Sequence, residues 1–347
     1  MGIWDRIKGI EEKPLQVKAA VIGEGPEAER LAAAYSVCPG IELVHAETVV
    51  VADGVIRTPV VRVPGLTALD DVLRTPGLQA LEIVAPLEKS ADLARASLRA
   101  GVFTSIPAPV EIKPVDELVE LSRAYRVPLR VRLLPLYYPP YREFKRLLDD
   151  DTVGHPISLK LMTRWGKGAQ LPRPFDPVQW IREHDLGFLS LATWLLGPIE
   201  KVHIRTGAAA QNNSPATSII MWKYRQRHQY GFLQLDICPD LHVRTFTDPV
   251  HRSIELTGAG GLILATRGEG QLLRLPALMV RGKSTTTAFE LIPDDWREVY
   301  KNLALETLKV VNEKSSPRAG AELTREALRL AQSAHNSLEK GDEVALI

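Results

Sequence analysis

The stretch that decides the fold runs from residue 17 to residue 28 and reads Val-Lys-Ala-Ala-Val-Ile-Gly-Glu-Gly-Pro-Glu-Ala. The apolar run 17–22 is typical of a buried β-strand, and helical periodicity extends from residue 27 to residue 35. A strand that turns through glycines into a helix points backbone amides and the positive end of the helix dipole at one place, which suits a pyrophosphate. Because glycines also punctuate ordinary strand-to-helix turns, a plain turn stays open as the alternative. The predicted dinucleotide-binding residues of this loop are Gly23, Gly25, Pro26, Glu27 and Ala28.

Length, charge and cysteine content restrict the classes of protein that fit. The chain has 347 residues, enough for two domains, and its 43 basic and 42 acidic residues leave a net charge of +1. Such a balance gives no global field for nucleic acid or for an anionic membrane. Cys38 and Cys238 match no metal-ligand spacing, and no apolar run approaches the roughly 20 residues of a membrane span. We therefore expect a cytoplasmic protein with no metal site and no nucleic-acid or membrane partner.

The first third of the sequence alternates short apolar runs with helical patterns. This alternation predicts a doubly wound parallel sheet of the α/β class in a first domain, residues 1–135. The predicted strands are 18–23, 41–46, 80–85, 102–106 and 129–134, and the predicted helices are 27–36, 68–74, 90–100 and 115–125.

Residues 48–63 depart from this alternation. They are rich in β-branched side chains on both sides of Asp53-Gly54, which favours a hairpin over the expected crossover helix. That crossover normally flanks the ribose of a bound dinucleotide. Glu47 follows the glycine loop by about 20 residues, the separation in sequence at which an acidic residue binds the ribose hydroxyls. A solvated charge at a strand end explains Glu47 equally well.

The remaining residues, 136–347, predict an α+β domain with a large, mostly antiparallel sheet and few helices. Residues 137–140 are predicted to form a turn, and a loop rich in glycine and proline follows at 166–177. Two amphipathic helices, 296–312 and 320–340, are expected to pack against the sheet or the first domain. The other predicted helices are 141–150 and 186–196, and the predicted strands include 157–164, 218–224, 229–236, 252–257 and 261–266.

Five sequence motifs in this order resemble the Gfo/Idh/MocA family, which includes glucose-fructose oxidoreductase and inositol dehydrogenase. The motifs are the glycine loop, residues 73–101, residues 142–158, Asp185-Leu186-Gly187-Phe188-Leu189 ahead of residues 194–200, and the terminal residues 341–346. The resemblance implies a Rossmann domain followed by an open-faced sheet that assembles homodimers or homotetramers. It also implies NAD or NADP as cofactor, and chemistry on a sugar-like or cyclitol-like small molecule. Ala85, Pro86 and Pro107 occupy positions that the resemblance places beside the cofactor.

The sequence departs from the family at the positions that carry its chemistry. The family has a lysine in a Glu-Lys-Pro motif, and the resemblance places Ala108 at that position. The family also has an aspartate followed four residues later by a histidine that acts as acid or base; here the aspartate is Asp185 and the second position is Leu189. Neither a methyl group nor an isobutyl group can transfer a proton, so the usual mechanism is absent.

Three hypotheses about function remain. In the first, the protein is an oxidoreductase with a relocated acid or base, for which His184 and Tyr138 join Asp185 as candidate catalytic residues. Tyr137, Arg164, Trp165 and Lys167 are the candidate substrate-binding residues, with stacking assigned to Trp165 and carboxylate binding to Lys167 or Arg164. Burial or a surface position explains each of these residues without function.

In the second hypothesis the protein is a catalytically inactive relative that binds a nucleotide or sugar as a sensor or as a subunit of a complex. In the third it performs redox-neutral elimination or hydrolysis on the same scaffold. The choice between NAD and NADP is open, because Glu47 disfavours a 2′-phosphate whereas Arg57 and Arg62 could favour one.

Overall fold

The computed structural model describes residues 16–346 apart from 24, 46–70, 86, 110, 173–174, 208–215, 226–228, 246–247, 267, 269 and 283. The chain divides into two compact units. Unit 1 consists of Met1–Pro107, Glu120–Arg130 and Tyr300–Pro317, and unit 2 consists of Ala108–Val119, Val131–Val299 and Arg318–Ile347. The division of the sequence at residue 135 stays a prediction.

A five-stranded sheet forms the centre of unit 1. Its strands are β1 (Val17–Gly23), β2 (Ile41–His45), β3 (Leu78–Val84), β4 (Phe103–Pro107) and β5 (Leu129–Arg132). Their order is β2-β1-β3-β4-β5, and β1 pairs in parallel with β2 and β3, as β3 does with β4. The helices between them are α1 (Pro26–Ser36), α2 (Leu87–Arg99) and α3 (Ile112–Tyr125). The expectation of a Rossmann-type parallel sheet is confirmed.

The core of this sheet explains why the apolar run at the start of the chain becomes its central strand. Val17 and Ala19–Ile22 of β1 are fully buried, as are Leu31 and Tyr35 on the inward face of α1. A strand covered by helices on both faces is apolar throughout instead of alternating, which is the pattern that these residues show. Of the predicted helix 68–74 the described residues 71–73 are helical, and the predicted hairpin at 48–63 lies outside the described residues.

A buried polar network ties the strands of unit 1 to the helix α7 (Trp296–Glu313). Arg130 donates through Nε to Ser105 Oγ (3.1 Å), and through Nη2 to Tyr35 Oη (2.9 Å) and Thr307 Oγ1 (3.0 Å). It also forms an ion pair with Glu82, which accepts a hydrogen bond from the Tyr35 hydroxyl. All five side chains are buried, so a complete set of partners inside unit 1 replaces the water that they lose.

A nine-stranded sheet forms the centre of unit 2, in the order β13-β12-β11-β10-β6-β9-β8-β7-β14. The pairings described are antiparallel except for β6 with β9, which is parallel. The expectation of a large, mostly antiparallel sheet is confirmed. The strands are β6 (Pro156–Trp165), β7 (Ile199–Thr206), β8 (Ala216–Tyr224), β9 (Tyr230–Ile237), β10 (Val250–Gly258), β11 (Gly261–Ala265), β12 (Leu278–Arg281), β13 (Thr286–Phe289) and β14 (Val344–Ala345).

The two faces of this sheet differ in burial. One face, which we call the inner face, contributes buried side chains such as Leu161, Leu233 and Ile254, and contacts α4 (Pro139–Asp149), α6 (Leu186–Leu196) and α8 (Ala321–Lys340). The open face carries the alternate residues of the same strands, including Met221, which is 41 % exposed, and Tyr230, which is 59 % exposed. Side chains on a strand alternate between faces, so each residue of β6–β10 belongs to one face or the other.

Residues 137–140 do not form the turn that the sequence predicts. Leu134–Tyr137 form a 3₁₀ turn, and α4 begins directly at Pro139 with Pro140 behind it. Proline is tolerated in the first helical turn because the amide it lacks would have no helical partner there. The two prolines therefore start the helix that was predicted to begin at Tyr141.

Two features are absent from the part of the chain that the structure describes. No group of three or more histidine, cysteine, aspartate or glutamate side chains in it is placed to hold a metal ion. None of its helices is both long enough and apolar enough to cross a membrane.

Candidate functional site

The glycine loop lies at the carboxyl end of β1, next to the carboxyl end of β3. Gly23 is in register with Val84, and a Cβ added to Gly23 would lie 1.9 Å from the carbonyl oxygen of Val84. Its φ of 133° also lies outside the range that other residues adopt readily. Gly23 is therefore required by the close approach of the two strands.

Gly25 has a different reason to be glycine. It precedes α1 with φ of 90°, and no described atom lies within 4 Å of a Cβ added to it. Among the described residues no side chain caps the start of α1, and Ala28 is fully buried where the helix packs on the sheet. Open space in front of an uncapped helix start is the geometry that admits a phosphate group. The backbone of Gly23 and of residues 25–28 fits a dinucleotide pyrophosphate in this respect, and Glu24 lies outside the described residues.

The charges at the start of α1 fit an anion less well than its backbone does. Glu27 and Glu29 lie in the first turn of the helix, where acidic side chains offset the positive end of the helix dipole. A bound pyrophosphate would meet two carboxylates as well as the backbone amides, which weakens its binding.

The other predicted cofactor-binding residues lie partly at the same edge. Ala85 directly follows β3, its carbonyl oxygen accepts a hydrogen bond from Ser90 Oγ (2.7 Å), and Pro107 ends the neighbouring strand β4. Carboxyl ends of adjacent parallel strands meet at one edge of a sheet, so Gly25, Ala85 and Pro107 lie along the same edge of the sheet of unit 1. Glu47 and Pro86 lie outside the described residues.

The positions where the family has its lysine and histidine are described in this chain. Ala108 is exposed, and Leu189 is fully buried in α6. Leu189 therefore belongs to the packed interior rather than to a reactive surface.

Asp185 lies in a buried cluster of unit 2. One of its carboxylate oxygens accepts from Arg252 Nε (2.9 Å) and Nη2 (2.8 Å), and the other accepts from Trp165 Nε1 (3.0 Å). The Asp185 side chain is 0 % exposed and that of Arg252 is 6 % exposed. A carboxylate with both oxygens bound in this way stabilises the fold and is poorly placed to exchange a proton with a ligand.

His184, the neighbour of Asp185, is the predicted catalytic residue with an accessible side chain. Its side chain is 39 % exposed, and Nε2 lies 3.9 Å from a carboxylate oxygen of Glu183. The imidazole packs against the indole of Trp180, with ring centroids 4.1 Å apart, and against that of Trp165 at 5.4 Å. The two indoles also contact each other, with ring centroids 5.0 Å apart, so the imidazole packs against the pair and stays partly exposed, which is a geometry that general acid–base chemistry can use.

The two predicted tyrosines are buried. The Tyr138 hydroxyl lies 2.7 Å from the carbonyl oxygen of Gly268 and 3.1 Å from that of Asp294, which share its one proton, and its ring packs edge-on against that of Tyr141. Tyr137 is fully buried, with the guanidinium of Arg318 5.8 Å from its ring. Both tyrosines therefore hold the fold together, whereas the sequence predicted a catalytic role for Tyr138 and substrate contact for Tyr137.

The predicted substrate residues of β6 and the following loop do not form one group. Trp165 is buried on the inner face with Asp185, whereas Arg164 lies on the open face, with Nε 3.7 Å from a carboxylate oxygen of Asp236. Adjacent strand residues point to opposite faces, so Arg164 and Trp165 cannot line one cleft. Lys167 remains exposed in the loop, with its amide held by the carbonyl oxygen of Leu241 (2.7 Å).

Sequence patterns contain little sign of two residues that build this cluster. Arg252 comes from a strand more than 60 residues after Asp185, and a single arginine in a β pattern carries no signal of its partner. Trp180 lies on the short helix α5 (Pro177–Trp180), which Asp176 caps by accepting from the amides of Val178 (2.8 Å) and Gln179 (3.2 Å). The Asp-Pro pair at 176–177 is the pattern that could have predicted this helix start.

Comparison with known proteins finds similarity in structure alone: no protein-family model and no curated protein sequence matches the chain. One similar structure is an oxidoreductase from Agrobacterium radiobacter, solved in complex with NAD+, L-tartaric acid and magnesium. It is 15 % identical in sequence with a TM-score of 0.72, and the match covers 95 % of this chain and 98 % of the oxidoreductase chain. A myo-inositol dehydrogenase from Corynebacterium glutamicum is 16 % identical with a TM-score of 0.73 and coverage of 96 % and 99 %.

A third similar structure is the WlbA dehydrogenase from Chromobacterium violaceum, solved with NADH and UDP-GlcNAcA. It is 16 % identical, has a TM-score of 0.69, and covers 96 % of this chain and 97 % of its own. At identities this low, the structural similarity establishes the fold alone, and the chemistry of this chain has to be argued from its own residues. The chain has the fold of the Gfo/Idh/MocA-type oxidoreductases.

Proposed function

We propose that the protein binds NAD or NADP at the glycine loop and oxidises or reduces a ring-like hydroxy or keto metabolite without the family's usual lysine and histidine. The observation that carries the proposal is the space in front of Gly25, at the uncapped start of α1. The fold supports it, because three similar structures are oxidoreductases and two of them hold NAD+ or NADH.

A nicotinamide cofactor would supply the site that accepts or donates a hydride. The residues of this chain have three tasks in that reaction. The loop 23–28 binds the pyrophosphate through its backbone, Lys167 offers a cation to an acidic substrate, and His184 takes or gives the proton of the reacting hydroxyl group. His184 suits this task because its ring packs against Trp165 and Trp180 while the side chain stays partly exposed.

A second candidate function is binding without turnover, as a sensor or a subunit of a complex. It is favoured by the burial of Leu189 and by the fully bound carboxylate of Asp185, which have become parts of a packed interior. Replacing polar active-site residues by residues that pack better is neutral or stabilising once catalysis is no longer needed. A redox-neutral elimination or hydrolysis on the same scaffold is the third candidate.

Binding is tested first, by calorimetric titration of the purified protein with NAD and with NADP. Gly25→Ala places a Cβ in the proposed phosphate space and strains a backbone with φ of 90°, so we expect affinity to fall at least about tenfold. Gly341→Ala is the matched control, because Gly341 has φ of 71° and no described atom near an added Cβ, but caps the end of α8. Equal affinity of the two variants would contradict the assignment of the loop.

Turnover is tested second, by absorbance of the reduced nicotinamide with a panel of sugars, cyclitols and their acids. Oxidation that is lost in His184→Ala supports the first candidate. Cofactor binding with no absorbance change on the whole panel favours the inactive binder. If neither NAD nor NADP binds, the first two candidates fail in their nucleotide-binding form and the redox-neutral reaction is the one to pursue.

We also propose that the protein forms a homodimer or homotetramer through the open face of the nine-stranded sheet. Met221 is in register with Phe232 on that face, and the exposed ring of Tyr230 lies on the same strand as Phe232. Exposed apolar and aromatic side chains grouped on one surface are typical of an interface.

A further inference from the structure

The helical segment that carries His184 and Asp185 is interrupted. Pro177–Trp180 are α-helical, Ile181–Asp185 form one turn of π-helix, and the α-helix resumes at Leu186. A π turn inserts an extra residue into a helix, is costly and rare, and occurs frequently at functional sites. His184 and Asp185 are the last two residues of this turn, so whatever holds the turn also decides where the imidazole lies.

Arg252 holds both residues. Its Nε and Nη2 donate to Asp185 Oδ1, and Nη2 also donates to the carbonyl oxygen of His184 (3.0 Å). Its guanidinium lies 5.8 Å from the ring of Trp165 and 5.9 Å from that of Phe188. A planar guanidinium can bind a carboxylate and a neighbouring carbonyl oxygen together, whereas an ammonium group cannot reproduce that fork.

The side chain of His184 points away from this contact. Its carbonyl oxygen is on the buried side with Arg252, and its imidazole packs on Trp180 and Trp165 with a large exposed fraction. Trp165 belongs to both parts, since its Nε1 donates to Asp185 and its ring contacts His184. The backbone contact of Arg252 and the ring contact of Trp165 therefore fix one residue from two sides.

We propose that Arg252 is a positioning residue for the His184 imidazole. By binding the Asp185 carboxylate and the His184 carbonyl oxygen, it keeps the π turn in the form that packs the imidazole against both indoles and leaves the side chain partly exposed. The proposal rests on the proposed function, in which His184 transfers the proton.

The test is Arg252→Lys, which keeps a positive charge beside Asp185 and removes the fork. The readouts are the ring signals of His184 in the full chain with ¹⁵N-labelled histidine, and the rate at which diethyl pyrocarbonate modifies it, followed by peptide mass spectrometry. His184→Ala identifies its signal among the eight histidines. Glu255→Gln is the matched control, because Glu255 lies on the same strand but pairs with Lys160 on the open face.

We expect the Arg252→Lys variant to shift the His184 signal. We also expect it to change the modification rate of His184 about tenfold, which corresponds to the lower end of the free energy of a hydrogen bond to a charged group. The other histidines and NAD affinity should not change, and Glu255→Gln should leave His184 as it is. Unchanged His184 signals and rate in folded Arg252→Lys would overturn the proposal.

If Arg252→Lys does not fold, the double variant Asp185→Leu with Arg252→Met replaces the buried pair by apolar side chains, a change that is often neutral for stability. The same displacement of His184 is expected, and its absence would again overturn the proposal. Failure of the proposed function gives a different result. The His184 signals and modification rate then change in the variant, but neither the unaltered protein nor the variant turns over any substrate.

Discussion

The buried ion pair between Glu82 and Arg130 provides the sharpest test of how unit 1 is held together. Glu82→Gln preserves the shape of the side chain and its hydrogen-bonding oxygen, but it removes the negative charge. The Arg130 guanidinium then keeps hydrogen bonds to neutral partners and a longer contact with the Glu306 carboxylate, 3.5 Å from Nη1 and 11 % exposed. The variant removes a fully buried counter-charge from a guanidinium that is itself fully buried.

The expected loss follows from this burial. Breaking a fully buried pair by removing one partner costs about 3–5 kcal/mol, because the remaining charge is desolvated without compensation. Glu306 lowers this cost through its longer contact with Arg130, and the carbonyl oxygen of Leu303, 3.0 Å from Nη1, lowers it further. We therefore expect the free energy of unfolding to fall by about 3 kcal/mol, the lower end of that range.

Urea denaturation measured by circular dichroism and by tryptophan fluorescence tests this expectation. The two signals together show whether unit 1 unfolds separately from unit 2. If it does, the decrease in the free energy of unfolding is measured on the transition of unit 1. Glu120→Gln is the matched control, since Glu120 pairs with Arg123 in the same unit but both side chains are more than half exposed. The control should change stability by less than about 0.5 kcal/mol. A loss below about 1 kcal/mol for Glu82→Gln would refute the claim that the pair is desolvated.

Three further predictions concern the cofactor, pH and assembly. Glu27→Gln should tighten NAD binding about two- to fivefold in calorimetry, because it removes a carboxylate from the first turn of α1; weaker binding would contradict a site at this helix start. Burial lowers the pKa of His251 below its ordinary 6.5, and the hydrogen bond with the carbonyl oxygen of Gly270, which raises the pKa, offsets only part of this effect. The unfolded chain thus binds the proton more readily, so stability should fall as the pH drops below 6.5, and urea denaturation should show a smaller fall in His251→Gln. Met221→Lys should shift the protein toward the monomer in analytical ultracentrifugation, because it puts a charge into the proposed interface; an unchanged sedimentation coefficient would argue against the open face.

The sequence predicted the parallel sheet well because its strands and helices carry strong local signals. Residues 17–22 are apolar apart from Lys18 and are followed by glycines, a pattern typical of a buried strand with a tight turn, and β1 ends at Gly23 as expected. The helix 186–196 was likewise predicted to the residue, because its apolar run is bounded by the glycine and proline at 197–198.

The chemistry of the candidate site was harder to predict because it depends on contacts between distant residues. Asp185, Trp165 and Arg252 meet only when β6 and β10 pair, and no periodicity in the sequence reports that meeting. The π turn at 181–185 also has no sequence signature, since its residues would serve equally well in an ordinary helix. The same holds for Tyr138, whose hydroxyl partners lie more than 100 residues later in the chain.

The contribution of residues 300–317 to unit 1 has a consequence for biosynthesis. Arg130 and Tyr35 emerge from the ribosome long before Thr307, which shares their hydrogen-bonded network. At about 5–20 residues per second, a nascent chain spends about 9 to 35 seconds with that charged cluster incomplete. The sheet of unit 1 consequently reaches its final stability only after residues 300–317 have been synthesised, and a premature stop before residue 300 leaves a chain exposed to proteolysis and aggregation.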